Sequence, residues 1–176
     1  MSELRPFSYV VMALVGRDGA GPHDMVSMMR RGRIYWSAAE SHWYAEPKRL
    51  AGLGYLRAES RPGRTTERTH YTLTDRGLAA LRDWLGRPSG YPRVQDEAVV
   101  RVLASDLGDP AAVARSMEGL RREIDELAAG IDASEALTPS LAHRERALRL
   151  VQALGRDMLR VHREWAERVE RELGGP

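Results

Sequence analysis

The sequence predicts a mainly α-helical protein in which one β-hairpin interrupts the helices. Apolar residues recur at helical spacing in 6–15, 22–31 and 75–85. Between residues 55 and 73 the pattern changes to two short alternating runs on either side of a Pro-Gly turn. All later apolar patterns are again helical. We therefore expect three helices, a hairpin, a fourth helix and then an all-helical region.

Length and composition divide the chain into two unequal parts. Its 176 residues suffice for a small domain and a helical extension that needs a partner. Two prolines and two glycines fall within 86–93, which places a boundary there. We expect a first domain over 1–86, a linker over 87–93 and a helical dimerisation domain over 94–176.

Charge and cysteine usage bear on partners and compartment. Residues 1–86 carry 13 Lys and Arg against 9 Asp and Glu, whereas the remainder carries 14 against 16. A basic first part is expected of a domain that meets a polyanion, although ordinary scatter also gives differences of this size. The chain has no cysteine, and its first apolar run is too short for a membrane span and has no signal-peptide cleavage site. These features predict a soluble cytoplasmic protein without membrane partners.

The first two helices are bounded by prolines and glycines. Pro6–Val15 starts with a proline suited to the first helical position and ends at Gly16. Pro22–Arg31 places Met25, Val26 and Met29 on one side. We interpret these methionines as core filling rather than as metal ligands.

The stretch Ser37–Leu56 predicts a third helix with two different faces. On a helical wheel one arc is apolar and the other is polar and basic. Ser37 is a candidate N-cap. Pro47 conflicts with a regular helix, because an interior proline removes a hydrogen bond and clashes with the preceding turn at a cost of about 3 kcal/mol. The helix is therefore kinked near Tyr44 or starts later than Ser37. The apolar arc contains Ala39, Trp43, Pro47, Leu50 and Leu53, and the opposite arc contains Ser41, Ala45 and Lys48.

A hairpin with a basic tip follows, and then a fourth helix. Residues 55–59 and 69–73 are the predicted strands, and the turn between them is rich in arginine. Thr74 is the predicted cap of a helix over Asp75–Leu85.

The last third of the chain predicts a long helical seam. After a short helix over Val94–Leu107, Asp109 and Pro110 provide a cap and first-turn proline. A last helix reaches Leu173 and, at 1.5 Å per residue, is about 50 Å long. Its apolar stripe needs a partner, and the economical one is a second copy in a two-fold dimer. For the shorter seam of the preceding helix, the alternative is an antiparallel pair within one chain, 110–131 against 140–173. The first seam comprises Val113, Met117, Leu120, Ile124, Leu127 and Ile131; the stripe of the last helix comprises Leu148, Val151, Met158, His162, Trp165 and Val169.

This order of elements, α-α-α-β-β-α, predicts an N-terminal winged helix-turn-helix, in which the third helix enters the major groove of double-stranded DNA and the hairpin follows the backbone. Arginines beside the turn are expected to contact phosphates, and residues near the start of the third helix are expected to reach base edges. The alternatives are a solvated hairpin tip and, for His42, a side chain that only faces water. The candidate DNA contacts are Ser41, His42, Tyr44, Lys48, Arg61, Arg64 and Arg68.

The same residues resemble the PadR family of transcriptional regulators, named for a repressor of phenolic acid decarboxylase. The resemblance spans roughly 7–107 and is carried by Y-A-E-P-K-R-L-A-G-L-G-Y-L and by R-P-G-R-T-T-E-R-T-H-Y-T-L-T-D-R-G, followed by L-R-D-W-L. It implies that Tyr44 and Lys48 occupy recognition-helix positions, that Arg61 and Arg64 occupy wing positions, and that the helices beyond residue 93 form a dimerisation region. Pro47 departs from the family pattern, where an apolar residue is common.

The resulting prediction is a homodimeric repressor of a near-palindromic operator. Family members that respond to phenolic or multidrug-like ligands imply a small aromatic effector, for which Trp84 and Trp165 are candidate contacts, although both are also ordinary core residues. The 5 histidines form no catalytic or metal-ligand spacing, so neither an enzyme nor a metal or other cofactor is expected. A winged helix that binds a partner protein, and an effector-binding protein without a specific operator, remain as alternatives.

Overall fold

The computed structural model describes residues 3–31, 34–36, 38–62 and 67–175. The chain folds as two compact units, Met1–Gly90 and Tyr91–Pro176. The division falls inside the segment 87–93 in which the sequence places a linker. Among the described residues no helix is both long enough and apolar enough to cross a membrane.

The first unit has the element order of a winged helix-turn-helix. The bounds of α1, α2 and α4 coincide with the predicted ones, because prolines start the first two helices and Thr74 caps the fourth by accepting a hydrogen bond from Gly77 N. The elements are α1 (Pro6–Val15), α2 (Pro22–Arg31), α3 (Glu40–Gly52), β1 (Leu56–Arg61), β2 (Arg68–Leu73) and α4 (Asp75–Leu85).

The third helix is shorter than the stretch Ser37–Leu56 from which it was predicted. Helix α3 begins at Glu40 after Ala39, whose side chain makes no capping hydrogen bond, and it ends at Gly52. The predicted N-cap, Ser37, lies outside the described residues. The late start is one of the two arrangements that Pro47 demanded, and this proline is fully buried inside the helix.

The two strands form an antiparallel hairpin whose last pair joins Arg61 and Arg68. A backbone bridge from Ala20 to Tyr71 ties the α1–α2 loop to β2. This close approach requires a glycine at position 19, because its φ is 76° and an added Cβ would meet the His70 ring at 2.2 Å. The tip of the hairpin, 63–66, lies outside the described residues.

The core of the first unit lies between α1, α2, α3 and the base of the hairpin. Met25 and Val26 are buried in it and Met29 packs against it, so the interpretation of these side chains as core filling is confirmed. Helix α3 contributes Trp43 and Leu50 to this core, in agreement with the predicted apolar arc. Its other buried members are Tyr9, Val11, Met12, Val15, Ala20, Tyr55, Leu56, Tyr71 and Leu81.

The second unit is built on an antiparallel pair of long helices within one chain. Its elements are α5 (Glu97–Leu103), α6 (Pro110–Leu137) and α7 (Glu145–Leu173), with short 3-10 turns at Ser105–Leu107 and Thr138–Ser140. Ion pairs from Arg121 to Glu170 and from Arg156 to Asp132 join the two long helices, and the order of these partners shows that the helices are antiparallel. Asp109 caps α6 by accepting from Ala111 N, as predicted.

Most of the apolar stripe predicted for the last helix lies outside the face that packs against α6, and of its members only Val169 is buried. Val151 is exposed, whereas Leu148, Met158, His162 and Trp165 are only half-buried. Small and polar residues, which hydropathy does not single out, make up most of the buried face instead. The buried residues of α7 are Gln152, Gly155, Leu159, Ala166 and Val169.

Candidate nucleic-acid interface

Helix α3 presents a polar face to solvent while its opposite face is buried. Ser41, His42, Tyr44 and Lys48 are all exposed, and Tyr44 retains 47% of its accessible surface. His42 lies at the edge of this face, with its ring 6.1 Å from that of Phe7. The exposed face is therefore centred on Ser41, Tyr44 and Lys48.

A surface cleft of about 440 Å³ lies beside this face, between the start of α2 and the hairpin. It brings together three of the predicted contacts, Tyr44, Arg61 and Arg68, whereas Ser41, His42 and Lys48 do not line it. The sequence analysis did not identify His23 and His70, which line the same cleft although they lie 47 positions apart in the chain. The lining residues are Gly21, Pro22, His23, Asp24, Tyr44, Arg61, Pro62, Arg68, Thr69 and His70.

The charge of the cleft is predominantly positive. Arg61 and Arg68 are opposite each other in the last strand pair, and both are exposed. The Arg61 guanidinium is 3.5 Å from the Glu59 carboxylate, an exposed ion pair of the kind worth at most about 1 kcal/mol, so this arginine can exchange its partner for a phosphate. The carboxylate of Asp24 accepts a hydrogen bond from Gly21 N at 3.0 Å. Arg64 lies outside the described residues.

Behind the exposed face, α3 carries a buried carboxylate that the sequence did not reveal. Glu46 is 9% exposed and accepts hydrogen bonds from Ser8 of α1 and Arg49 of α3. Burial by itself raises the pKa of Glu46, but these hydrogen bonds and the Arg49 charge outweigh it, so the pKa lies below its ordinary value. The available signal was a glutamate with an arginine three positions later, facing a helix that contains one serine among apolar residues.

The two tryptophans proposed as effector contacts occupy separate units. Trp84 of α4 stacks on Tyr9 with the ring centroids 4.8 Å apart and the planes at 8°, and 38% of it is exposed. Trp165 of α7 packs against a cluster that includes Met117 and Ala166. Neither residue lines the cleft beside the hairpin.

Comparisons with known proteins identify relatives over nearly the whole chain. A family model described as "Virulence activator alpha C-term" matches residues 94–174. The negative transcriptional regulator PadR of Bacillus subtilis (strain 168) is 28% identical over 181 residues, which cover 94% of this chain and 96% of the relative. The resemblance to PadR regulators carried by the sequence motifs is thereby confirmed, and the relative is a transcriptional regulator, not an enzyme.

Solved structures extend the similarity to the fold. The crystal structure of B. subtilis PadR in complex with operator DNA matches with a TM-score of 0.79 at 22% identity, covering 96% of this chain and 99% of that chain. The same relative in complex with p-coumaric acid matches with a TM-score of 0.63 at 20% identity, covering 94% and 99%. The Vibrio cholerae virulence activator AphA matches with a TM-score of 0.68 at 21% identity, covering 94% and 96%. These matches confirm the predicted winged helix followed by a helical region.

Proposed function

We propose that this chain, a transcriptional regulator of the PadR type, acts as a homodimeric repressor that binds a near-palindromic operator. Residues 1–86 are then the DNA-binding domain, 87–93 the linker and 94–176 the dimerisation domain. The observation that carries the proposal is the exposed polar face of α3 beside an arginine-lined cleft. A relative of the same fold has been crystallised with operator DNA.

The two parts of this interface have different roles in the proposal. The α3 face enters the major groove, where Ser41 and His42 near the helix N-terminus read base edges and Tyr44 and Lys48 flank them. The hairpin arginines Arg61, Arg64 and Arg68 contact phosphates, which positions the domain without reading sequence.

Dimerisation is proposed to use a face of α7 whose residues remain exposed or half-buried in the single chain. This apolar seam consists of Val151, Leu154, Met158, Val161 and Trp165, which follow one another at alternating spacings of three and four residues. Three of them, Val151, Leu154 and Val161, are exposed. Heptad-like spacing is what a helix paired with another long helix requires, and two-fold symmetry then presents two α3 faces to half-sites about one helical turn apart.

We further propose that a small aromatic effector relieves repression, with Trp84 and Trp165 as contacts. Support comes from the relative crystallised with p-coumaric acid and from the exposed part of the Trp84 ring. A planar aromatic ring offers a stacking surface to such a ligand.

The test is a gel-shift titration of the full chain against the DNA upstream of its own gene, with a shuffled duplex as control, at several salt concentrations. We expect a specific complex whose log affinity falls linearly with log salt, by about 0.9 per phosphate contact. Equal binding to both duplexes, or affinity indifferent to salt, would refute operator recognition.

A further inference from the structure

We propose that Glu46 is a positioning residue of the recognition helix: joined to Ser8 and Arg49, it sets the rotation of α3 against α1 and thereby aims the exposed face at the bases. This inference rests on the proposed function. Glu46 itself is turned away from that face and is not expected to touch DNA.

Both carboxylate oxygens of Glu46 accept hydrogen bonds, and these bonds join α3 to α1. Its Oε1 accepts from Ser8 Oγ at 2.6 Å and from Arg49 Nη2 at 2.6 Å, while Oε2 accepts from Arg49 Nε at 2.8 Å. Ser8, which is 0% exposed, also accepts from Arg49 Nη2 at 3.1 Å and from Arg5 N at 3.0 Å. The serine hydroxyl thus uses its one donor and both acceptor sites.

The network continues to the base of the hairpin and to α4. Arg49 Nη1 donates to the carbonyl oxygen of Glu3 at 3.1 Å. The Glu3 carboxylate accepts from Tyr55 Oη at 2.7 Å and from Arg76 Nη2 at 3.0 Å. Because Tyr55 immediately precedes β1, the same set of bonds relates the orientation of α3 to the hairpin.

Stability alone does not explain this arrangement. A buried ion pair is often no more stabilising than apolar residues of the same volume, because desolvation offsets the attraction. The α1–α3 contact also contains apolar packing, such as the edge-to-face approach of Phe7 and Trp43 at 4.7 Å, and apolar packing is not directional. Directional hydrogen bonds at Glu46 therefore define the rotation that apolar contacts leave less restricted.

Small rotations matter for base recognition. The side-chain tips of a helix lie about 5–6 Å from its axis, so a rotation of about 15° moves them by roughly 1.5 Å. A hydrogen bond to a base edge requires a donor–acceptor distance between about 2.7 and 3.2 Å, which is a range of only about 0.5 Å. Phosphate contacts by long arginines can follow such a shift. Loss of the network should therefore lower discrimination between sequences more than it lowers affinity for DNA in general.

The test measures the ratio of affinities for specific and shuffled duplexes by fluorescence anisotropy, using full-length folded protein. Glu46→Gln keeps the shape and removes the charge, and Ser8→Ala removes the link to α1 but leaves the Glu46–Arg49 pair. We expect each change to reduce the ratio about tenfold, with affinity for shuffled DNA within twofold of wild type. The double variant should lose no more than either single variant, because both break one coupled unit.

Two further variants separate positioning from general destabilisation. Arg49→Lys keeps the charge but loses the bidentate geometry, so it should give an intermediate ratio. Glu135→Gln is the control: Glu135 also accepts two bonds from one arginine, Arg156, at 2.9 and 2.6 Å, but in the second unit, and its ratio should match wild type. A thermal melt establishes that each variant is folded at the assay temperature.

The outcomes distinguish this inference from the proposed function. A wild-type chain without a specific complex overturns both. A specific wild-type complex whose discrimination survives Glu46→Gln and Ser8→Ala overturns only the role of Glu46. An equal loss of discrimination in Glu135→Gln also refutes positioning by Glu46.

Discussion

Replacing Leu154 by glutamate should separate the proposed dimer into monomers. Leu154 lies at the middle of the apolar seam of α7 and is 55% exposed in the single chain. Burying a whole leucine side chain contributes about 1.5–3 kcal/mol, so the exposed half is worth about 1–1.5 kcal/mol. A two-fold dimer contains the residue twice, which gives about 2–3 kcal/mol before the cost of desolvating two carboxylates is added.

That free energy corresponds to a dissociation constant raised at least about 30- to 150-fold, since each 1.4 kcal/mol is tenfold. Sedimentation velocity over a range of concentrations measures it directly, against a monomer mass of 19.7 kDa. The matched control is Ala153→Glu, because Ala153 is exposed on the same helix but lies away from the seam. An unchanged dissociation constant for Leu154→Glu, or an equal effect of both substitutions, would refute the seam as the dimer interface.

Three other predictions follow from the first unit. Arg68→Ala should weaken binding to every duplex alike and lower the slope of log affinity against log salt by about one. Ser41→Ala should instead change the sequence preference at one position of each half-site. Binding isotherms at several salt concentrations, on a panel of operator variants, measure both effects. Wild type should be more stable than Glu46→Gln above pH 4.5, the ordinary pKa of a glutamate. Because the pKa of Glu46 is lowered in the folded state, this difference in stability should disappear as the pH falls through the folded-state pKa. Denaturant unfolding across pH 2.5–7 measures the difference, and a difference that stays constant over this range would contradict the prediction. Trp84→Phe should abolish most of the fluorescence quenching by p-coumarate if the ligand stacks on that ring, and quenching equal to wild type would exclude the contact.

Local signals explain why most of the first unit could be predicted from its sequence. Pro6, Pro22 and Thr74 each act within a few residues of a helix start, so α1, α2 and α4 were correctly bounded. For α3, Pro47 left open a kink near Tyr44 or a start later than Ser37, and the helix does start later, after Ala39, whose side chain forms no cap. The residue type indicates which side chains are able to cap a helix, whereas the residue at which α3 begins also depends on how the chain enters the core.

Buried polar residues and close helix packing could not be predicted in the same way. A glutamate on a helix is expected to face water, and only the fold brings Ser8, 38 positions earlier, to within 2.6 Å of Glu46. The buried residues of α7 include Gly155 and Ala166, which carry little hydrophobic signal. Large apolar residues of the predicted stripe, such as Val151, therefore do not mark the face toward α6; Val151 belongs instead to the seam proposed for the dimer.

The difference between these two faces indicates how α7 can pack against α6 and also associate with a second copy of the chain. The face of α7 toward α6 uses small side chains and the buried amide of Gln152, which donates to Thr138 Oγ1 at 2.8 Å. Such a contact is directional and suits a pair that must keep one register. The seam around Leu154 and Val161 contains larger, purely apolar side chains, which suit association between chains driven by surface burial. We therefore expect Gln152→Leu to alter the stability of the helix pair within each chain while dimerisation continues to depend on Leu154, and unfolding and sedimentation of the two variants side by side would measure this separation.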